Sequence, residues 1–208
     1  MHRIAVSRTL SCALGTVILG GTLNGAFAQV TAADVVDRSS LRAFVQHARA
    51  EAETSVAGGT EREAYIFFDR EFRPRGRWRH GAVYLAVNIS AGADRGHLLF
   101  HATRPDLEGR NMWNFRDRNG LLVLQEIIAR AGRDFVEYYF DDPTVSGDEE
   151  DGSFKVGYGE QFVAGGRTLL ITSGFYPERE VPIAPPLAQL LLAMLLAGGG
   201  AYLIRWKP

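Results

Sequence analysis

The sequence predicts an α+β domain in which a long N-terminal helix packs on a five-stranded, mostly antiparallel sheet. Between Ala33 and Glu53, apolar residues recur at steps of three and four, as they do on one face of an amphipathic helix. Later segments alternate apolar and polar residues, as strands with one buried face do. With 46% hydrophobic and 23% charged residues, the composition is that of a globular protein.

Two helices are predicted to open the domain. The first covers Ala33–Glu53, and Asp34 is placed to cap its N-terminus. The second covers Glu61–Phe72, is shorter, and carries several aromatic residues. We expect both helices to lie across the sheet that follows.

The first predicted strand, Ala82–Ile89, has two unlike faces. One face carries branched aliphatic residues, and the other carries small residues together with Tyr84 and Asn88. We expect the aliphatic face to pack against the long helix and the other face to line a hollow with hydrogen-bonding groups. A second strand is predicted at His97–Ala102. Its alternation places three residues on a common side: His97, Leu99 and His101.

A further helix and three strands complete the predicted domain. The helix follows Asn119-Gly120, and Gly132 is its natural end. Because this helix separates the second strand from the third, the order of elements is that of a PAS-like sensor domain. The last three strands are predicted at Phe135–Phe140, Phe154–Phe162 and Thr168–Tyr176.

The N-terminal 28 residues have the pattern of a secretory signal peptide. Basic residues come first, an apolar stretch follows, and Ala26-Phe27-Ala28 supplies a small-residue cleavage site. The mature chain is then expected to begin at Gln29. The single cysteine, Cys12, lies within this signal, so disulfides and thiol chemistry are excluded for the mature protein.

The C-terminal region predicts a membrane anchor. Residues 187–204 are apolar except for one glutamine and would reach roughly 27 Å as a helix, close to the thickness of a bilayer core. A Pro-rich linker at 181–186 precedes this predicted transmembrane helix, and the basic tail at 205–208 favours a cytoplasmic C-terminus. A buried core helix is one alternative. A C-terminal sorting signal of an exported bacterial protein, which would be cut off, is another.

Between these ends, residues 29–180 predict one domain. Residues 29–186 carry 19 basic and 24 acidic side chains, and a mildly acidic domain argues against a nucleic-acid partner. The basic segment Arg73–Arg79 would place its arginines on one face if extended, which favours a solvated strand entry over a partner or lipid-headgroup patch. The acidic segment Asp141–Asp151 lacks the ligand spacing of a calcium loop and predicts a solvated hairpin loop.

Five motifs along the domain, considered together, resemble the single Cache domain family of extracytoplasmic, PAS-like sensor domains. The resemblance extends from Val35 to Pro177. The motifs are Gly81-Ala-Val-Tyr84-Leu-Ala-Val87, Gly109-Arg-Asn-Met-Trp113-Asn-Phe-Arg-Asp117-Arg-Asn-Gly120, Phe135-Val-Glu-Tyr138, Lys155-Val-Gly-Tyr158 and Thr172-Ser-Gly-Phe-Tyr176.

The resemblance implies a domain that binds a small molecule, often an organic acid or amino acid, within a chemoreceptor or histidine kinase. Typical relatives have a transmembrane helix on both sides and a signalling module after the second. Here a cleavable signal, one anchor and a short tail are expected instead. The predicted protein is therefore a single-pass protein of the inner membrane whose domain faces the periplasm and reports to a separate signalling or envelope partner.

Lys155 is the most informative of the candidate ligand-binding residues. The chain has only two lysines, and Lys155 alternates with Gly157 and Gly159, so we expect it to face a side that these glycines leave free of bulk, where a compact ammonium could meet a carboxylate. An exposed edge lysine is an equal alternative. The candidate ligand-binding residues, chosen as polar or aromatic groups that could converge on a small acid, are Tyr84, His101, Trp113, Arg116, Tyr139 and Lys155.

Several of these residues also have a purely structural interpretation. Trp113 and Tyr139 fit core positions, and Arg116 with Asp117 fits an ion pair that closes a turn. His97 and His101 would lie about 13 Å apart on a strand, too far to share one metal ion.

The chain lacks a phosphate loop, a nucleophile elbow and a cysteine nucleophile in its mature part. We therefore predict no enzyme activity, no cofactor and no metal. The predicted function is a membrane-tethered sensor domain for a small, anionic metabolite, whose occupied state is relayed to a partner. The alternative is an anchored envelope module with an interaction or structural role and no small-molecule ligand.

Overall fold

The computed structural model describes residues 29–148 and 152–177, which fold into three α-helices, two short 3-10 turns and five strands. The 3-10 turns cover Ala32–Asp34 and Pro105–Leu107. The helices are α1, Arg38–Ser55; α2, Glu61–Phe72; and α3, Val123–Arg130. The strands are β1, Ala86–Ile89; β2, Leu98–His101; β3, Val136–Phe140; β4, Ser153–Ala164; and β5, Arg167–Phe175.

The five strands form one antiparallel sheet in the order β2-β1-β5-β4-β3. The long hairpin of β4 and β5 lies at its centre, closed by Gly165 and Gly166 in left-handed conformations with φ of 59° and 71°. The predicted α+β architecture, with a long N-terminal helix on a five-stranded antiparallel sheet, is confirmed. The insertion between the second and third strands is present as expected and contains α3.

The two N-terminal helices begin at side-chain caps. Asp37, not Asp34, caps α1: its Oδ1 accepts a hydrogen bond from the Ser40 backbone N–H at 2.8 Å. The predicted capping role of Asp34 is therefore wrong, because its carboxylate instead accepts the Thr31 N–H within the preceding 3-10 turn. Helix α2 has the predicted bounds and begins at the Thr60–Glu63 capping box.

The main core lies between these helices and one face of the sheet. Helix α1 buries a stripe that includes Leu41 and Phe44, and α2 buries Phe68 and Phe72 against the ring of Phe100 on β2. The predicted aliphatic face before and along β1 packs in this core. Its four residues are Val83, Leu85, Val87 and Ile89.

A second, smaller cluster lies on the opposite face of the sheet, beneath α3. Successive residues of β5 face the two clusters in turn. Leu169 and Ile171 belong to the main core, and Leu170 belongs to the smaller cluster. From α3, Leu124 and Ile127 pack into the smaller cluster. Both faces of the sheet are thus covered.

Strand β2 departs from the predicted alternation. Val87 pairs with Phe100 and Asn88 pairs with Leu98, so Leu99 is an extra residue that the partner strand does not match. The expected common side for His97, Leu99 and His101 is therefore wrong. The irregularity puts Leu98 and His101 on the α3 face while Leu99 packs toward the main core.

The basic segment 73–79 is not extended as expected. Its chain turns back through a bridge between Gly76 and Arg79, so its arginines point to different partners. Arg73 pairs with Glu108 at 2.8 Å, and Arg77 pairs with Glu51 at 2.8 Å. These contacts tie the segment to the domain and do not form a single cationic face.

The predicted signal peptide, linker, transmembrane helix and tail lie outside the described residues. Within residues 29–148 and 152–177, no helix is both long enough and apolar enough to cross a bilayer.

The β4–β5 hairpin gives a test of the fold. A Cβ at Gly165 would lie 2.6 Å from the backbone nitrogen of Glu61 at the start of α2, whereas a Cβ at Gly166 meets nothing within 4 Å. Both positions have positive φ, so Gly166→Ala should lower the free energy of unfolding by about 1–2 kcal/mol. Gly165→Ala should cost at least about 1 kcal/mol more, because α2 must move. Urea denaturation measures both; equal losses would contradict the close approach of the hairpin to α2.

Candidate functional site

A cavity of about 70 Å³ lies between the sheet and α3. The side of the cavity formed by α3 and the loop before it is apolar, whereas the sheet and the segment entering β1 supply its polar groups. Such a combination of apolar walls and a few polar groups is typical of small-molecule sites. The polar lining residues are Tyr84, Asn88, His101, Tyr138, Lys155, Thr172 and Ser173.

Three of the six predicted ligand-binding residues come together at this cavity: Tyr84, His101 and Lys155. They come from the segment before β1, from β2 and from β4. The ring centroids of Tyr84 and His101 are 4.9 Å apart, and the Lys155 Nζ lies 2.8 Å from the Tyr84 Oη. These side chains form one contiguous polar group, which we call the Lys155 cluster.

The other three predicted residues do not line the cavity. The Trp113 ring contacts the Arg95 guanidinium at 3.8 Å, and the Tyr139 ring contacts Arg118 at 3.5 Å. Arg116 donates a hydrogen bond to the Gly120 carbonyl at 2.6 Å. A role for these residues in binding stays a prediction.

The turn before α3 is held by Asp117. Its carboxylate accepts backbone N–H bonds from Asn119, Leu121 and Tyr139 at 2.9–3.1 Å. The expected ion pair of Arg116 with Asp117 is absent from the ion pairs of the described residues. Both residues nevertheless close this turn, through hydrogen bonds that involve the backbone.

Lys155 is buried, with 3% of its surface exposed, which excludes the alternative of an exposed edge lysine. Glycine at position 174 makes room for it, because a Cβ there would lie 2.6 Å from the lysine Cε. The expected free space beside Gly157 and Gly159 is instead filled: a Cβ at these positions would meet the Tyr138 ring and the Ile127 side chain at 2.7 and 2.8 Å.

The Lys155 amine has one hydrogen bond and no ion pair among the described residues. It donates to the Tyr84 hydroxyl, and its Nζ lies 4.0 Å from the centroid of the Tyr84 ring and 4.8 Å from that of Tyr176. The nearby carboxylates have other partners: Asp141 pairs with Arg104 at 2.8 Å.

Burial lowers the pKa of Lys155 to about 7, and the negative charges of Asp142 and Asp141 oppose this shift. The amine is thus poised between its charged and neutral forms near neutral pH.

The residue Tyr84 is held in place at both its backbone and its side chain. The Tyr84 backbone carbonyl accepts a hydrogen bond from the Ser173 hydroxyl at 2.6 Å, and the Tyr84 phenol lies beside that of Tyr176. The Tyr176 hydroxyl in turn donates to the Asp141 carbonyl at 2.5 Å. Burial raises the pKa of Tyr84 far above its ordinary value, so the hydroxyl keeps its proton.

The tautomer of His101 follows from its surroundings. Its Nδ1 accepts the Arg104 backbone N–H at 3.0 Å, and burial lowers the pKa of His101 to about 3. The ring is therefore neutral and carries its proton on Nε2. Within residues 29–148 and 152–177, this Nε2–H has no hydrogen-bond acceptor, which leaves a free donor on a residue that lines the cavity.

Sequence reasoning missed the contributions of Tyr138 and Thr172 to the cavity. Tyr138 enters because it pairs with Lys155 across the β3–β4 ladder, and Thr172 enters because it lies two residues from Gly174 on β5. The alternation of β5 was available as a signal for Thr172. The register that brings Tyr138 beside Lys155 was not readable from the sequence.

The cavity has no acidic residue among the described residues that line it. It contains an amine, a histidine N–H and several hydroxyl or amide groups, but none of the lining residues carries a carboxylate. A ligand ammonium would find no counter-charge on these walls, whereas a ligand carboxylate would find hydrogen-bond donors.

No cluster of three or more histidine, cysteine or acidic side chains able to hold a metal ion occurs in the described part of the chain.

The comparisons with known proteins agree with this fold. The profile of the family described as Cache domain matches residues 75–176, which agrees with the resemblance predicted from the sequence. A search of curated proteins gives no match.

Two solved structures resemble the chain. A periplasmic sensor domain of a chemotaxis protein has 24% identity and a TM-score of 0.51, covering 66% of this chain and 93% of that one. A methyl-accepting chemotaxis protein from Vibrio parahaemolyticus has 22% identity and a TM-score of 0.47, covering 64% and 80%. At 24% identity, the likeness to the periplasmic sensor domain establishes a shared fold.

The pKa of Lys155 gives a test of the site. The unfolded lysine keeps its proton up to about pH 10.5, while the folded lysine loses it near pH 7, so between these values the unfolded state binds more protons. The free energy of unfolding should therefore rise with pH in this window. In Lys155→Met this contribution disappears. From pH 7.5 to 9.5, wild type should gain about 2 kcal/mol relative to the variant in urea denaturation. Parallel pH profiles for the two proteins would contradict the buried, unpaired amine.

Proposed function

We propose that the chain is a membrane-tethered, extracytoplasmic sensor domain that binds a small organic acid at the Lys155 cluster and relays its occupancy to a partner protein. The match to the Cache domain family and a fold shared with a periplasmic sensor domain support the sensory role. The observation that carries the proposal is a buried lysine amine that lines a cavity and has no carboxylate partner among the described residues.

The missing counter-charge favours an anionic ligand. A buried ammonium group without a partner is costly, and a carboxylate bound beside it would remove that cost. The Nε2–H of His101 offers a second donor to the same ligand. Binding would return the pKa of Lys155 toward its ordinary value, so the domain would take up a proton together with the acid.

The cavity volume limits the size of the ligand. A protein cavity of roughly 150 Å³ holds benzene with its six heavy atoms, and this cavity has about half that volume. An acid of about three to five heavy atoms, in the size range of acetate and glyoxylate, is closest to this volume. Helix α3 enforces the limit, because Ile127 fills the space beside Gly159 on β4.

A route for the signal runs from the Lys155 cluster to the end of β5. Tyr84 contacts both Lys155 and Tyr176, and Tyr176 lies just beyond the last strand, where the chain continues toward the predicted linker and anchor. A ligand that draws the Lys155 ammonium away from Tyr84 would alter the contacts of Tyr176 with Tyr84 and Asp141. The signal peptide and single anchor predicted from the sequence support placement of the domain outside the inner membrane.

Acetate stabilisation tests this proposal. At pH 6.5, sodium acetate at about 100 times its dissociation constant should stabilise the full-length chain by about 2.7 kcal/mol relative to sodium chloride. For a domain of this size, that is a rise in Tm of about 5–10 °C. At pH 8.5 the affinity should fall by more than tenfold, because Lys155 is then mostly neutral.

Two histidines of the chain provide a matched control. Only His101 lines the cavity, whereas His97 lies next to β2 with its Nδ1 near the Asp94 carbonyl. His101→Ala and Lys155→Met should lose the acetate effect, and His97→Ala should keep it. If neither acetate nor another acid of one or two carbons stabilises the protein, the proposal fails. The alternative of an anchored envelope module without a ligand would then be favoured.

A further inference from the structure

We propose that Lys155 also captures a small α-oxo acid covalently, by reversible condensation of its amine with the ligand's carbonyl group to form an imine. The inference rests on the proposed function, because it uses the same cavity, and it narrows the ligand from small acids in general to those that carry an aldehyde or ketone next to the carboxylate. No enzymatic turnover is implied.

The surroundings of Lys155 favour the nucleophilic form of its amine. Only a neutral amine has the lone pair that attacks a carbonyl carbon, and burial without a counter-charge favours the neutral form. Asp141 is paired with Arg104, and the Asp142 Oδ1 accepts hydrogen bonds from the Thr144 N–H and hydroxyl at 2.8 and 2.6 Å. These carboxylates are therefore engaged elsewhere and do not hold the amine as an ammonium by direct contact.

The groups that face the amine are aromatic or neutral. The centroids of the Tyr84, Tyr176 and Phe140 rings lie 4.0, 4.8 and 5.4 Å from Nζ, and the neutral His101 ring packs against both Tyr84 and Phe140. The side chain of Tyr138 lies on the paired position of the neighbouring strand. Such walls keep water from competing with the amine for a bound carbonyl compound.

The condensation balances with groups already in the cavity. The Lys155 lone pair forms the N–C bond while the carbonyl π electrons move to oxygen, and transfer of a proton from nitrogen to that oxygen gives a carbinolamine. The hydroxyl group then leaves with a second proton as water, as the remaining nitrogen lone pair forms the C=N bond. One amine and one carbonyl compound thus give one imine and one water, with no oxidant or reductant.

Tyr84 is placed to transfer the protons. Its hydroxyl lies 2.8 Å from the Lys155 Nζ and keeps its proton at neutral pH, so it can pass a proton to the leaving oxygen as it receives one from nitrogen. The Nε2–H of His101 would bind the carboxylate of the α-oxo acid while Lys155 is engaged in the imine.

The lysine content of the chain makes the test specific. Lys155 is the single lysine among residues 29–186, and Lys207 is the other lysine in the sequence. The full-length chain is incubated with glyoxylate, a two-carbon α-oxo acid, and quenched with borohydride, which reduces an imine to a stable amine. Peptide mass spectrometry should then find a carboxymethyl group on Lys155 and severalfold less on Lys207 and the N-terminal amine.

Two variants test the role assigned to Tyr84. Tyr84→Phe should slow the appearance of the Lys155 adduct on the order of 100-fold, because the proton relay is lost. Tyr158→Phe is the matched control, since Tyr158 lies on β4 in the main core with its hydroxyl 2.6 Å from the Glu160 carboxylate and does not line the cavity, and this variant should label at the wild-type rate. The extent of labelling should rise severalfold from pH 6.5 to 8.5, opposite in direction to acetate binding, because it needs the neutral amine.

The outcomes separate this inference from the proposed function. If acetate stabilises the chain but glyoxylate leaves Lys155 unmodified, or labels Lys155 and Lys207 equally, the covalent capture is overturned and the binding of acids stands. If Lys155 is labelled selectively but acetate has no effect, the ion pair of the proposed function is overturned instead. Equal rates for wild type and Tyr84→Phe would overturn the relay.

Discussion

The candidate site depends on one contact, the hydrogen bond from the buried Lys155 amine to the Tyr84 hydroxyl. A lysine inside a domain is costly unless its charge is paired, and here the partner within the described residues is a neutral phenol. When it is protonated, Lys155 therefore lacks a counter-charge at the wall of the cavity. A ligand that supplies a negative charge, or that reacts with the amine, removes the cost of this unpaired charge, and this gain favours binding.

The rest of the fold holds this contact in place. The central β4–β5 hairpin carries Lys155, and Gly174 on β5 leaves room for the lysine stem. The main core fixes the segment before β1 and so fixes Tyr84, while Ser173 anchors the Tyr84 carbonyl. Helix α3 closes the opposite side. Because each of these elements belongs to a packed layer, the cavity is a defined space whose polar groups come almost entirely from the sheet.

Much of this arrangement was predictable from the sequence, because it depends on local patterns. The alternation before and along β1 predicted both the aliphatic face in the core and the polar face in the cavity, and the scarcity of lysine singled out Lys155. Two of the predictions that were wrong concern the faces of β2 and the start of α1. The unmatched residue Leu99 changed the faces of β2, and the cap of α1 lay one turn later than expected, at Asp37.

The environment of Lys155 was also beyond a sequence-based prediction. Its neighbours come from the segment before β1, from β3 and from the end of β5, so only the assembled sheet shows that Asp141 is paired elsewhere and that Tyr138 fills the space beside Gly157. The most direct test is an NMR titration of the Lys155 side chain in the full-length protein, followed at its ε-carbon. We expect a pKa of about 7 for Lys155 that rises when acetate is added. A pKa near the ordinary 10.5, unchanged by acetate, would contradict this expectation.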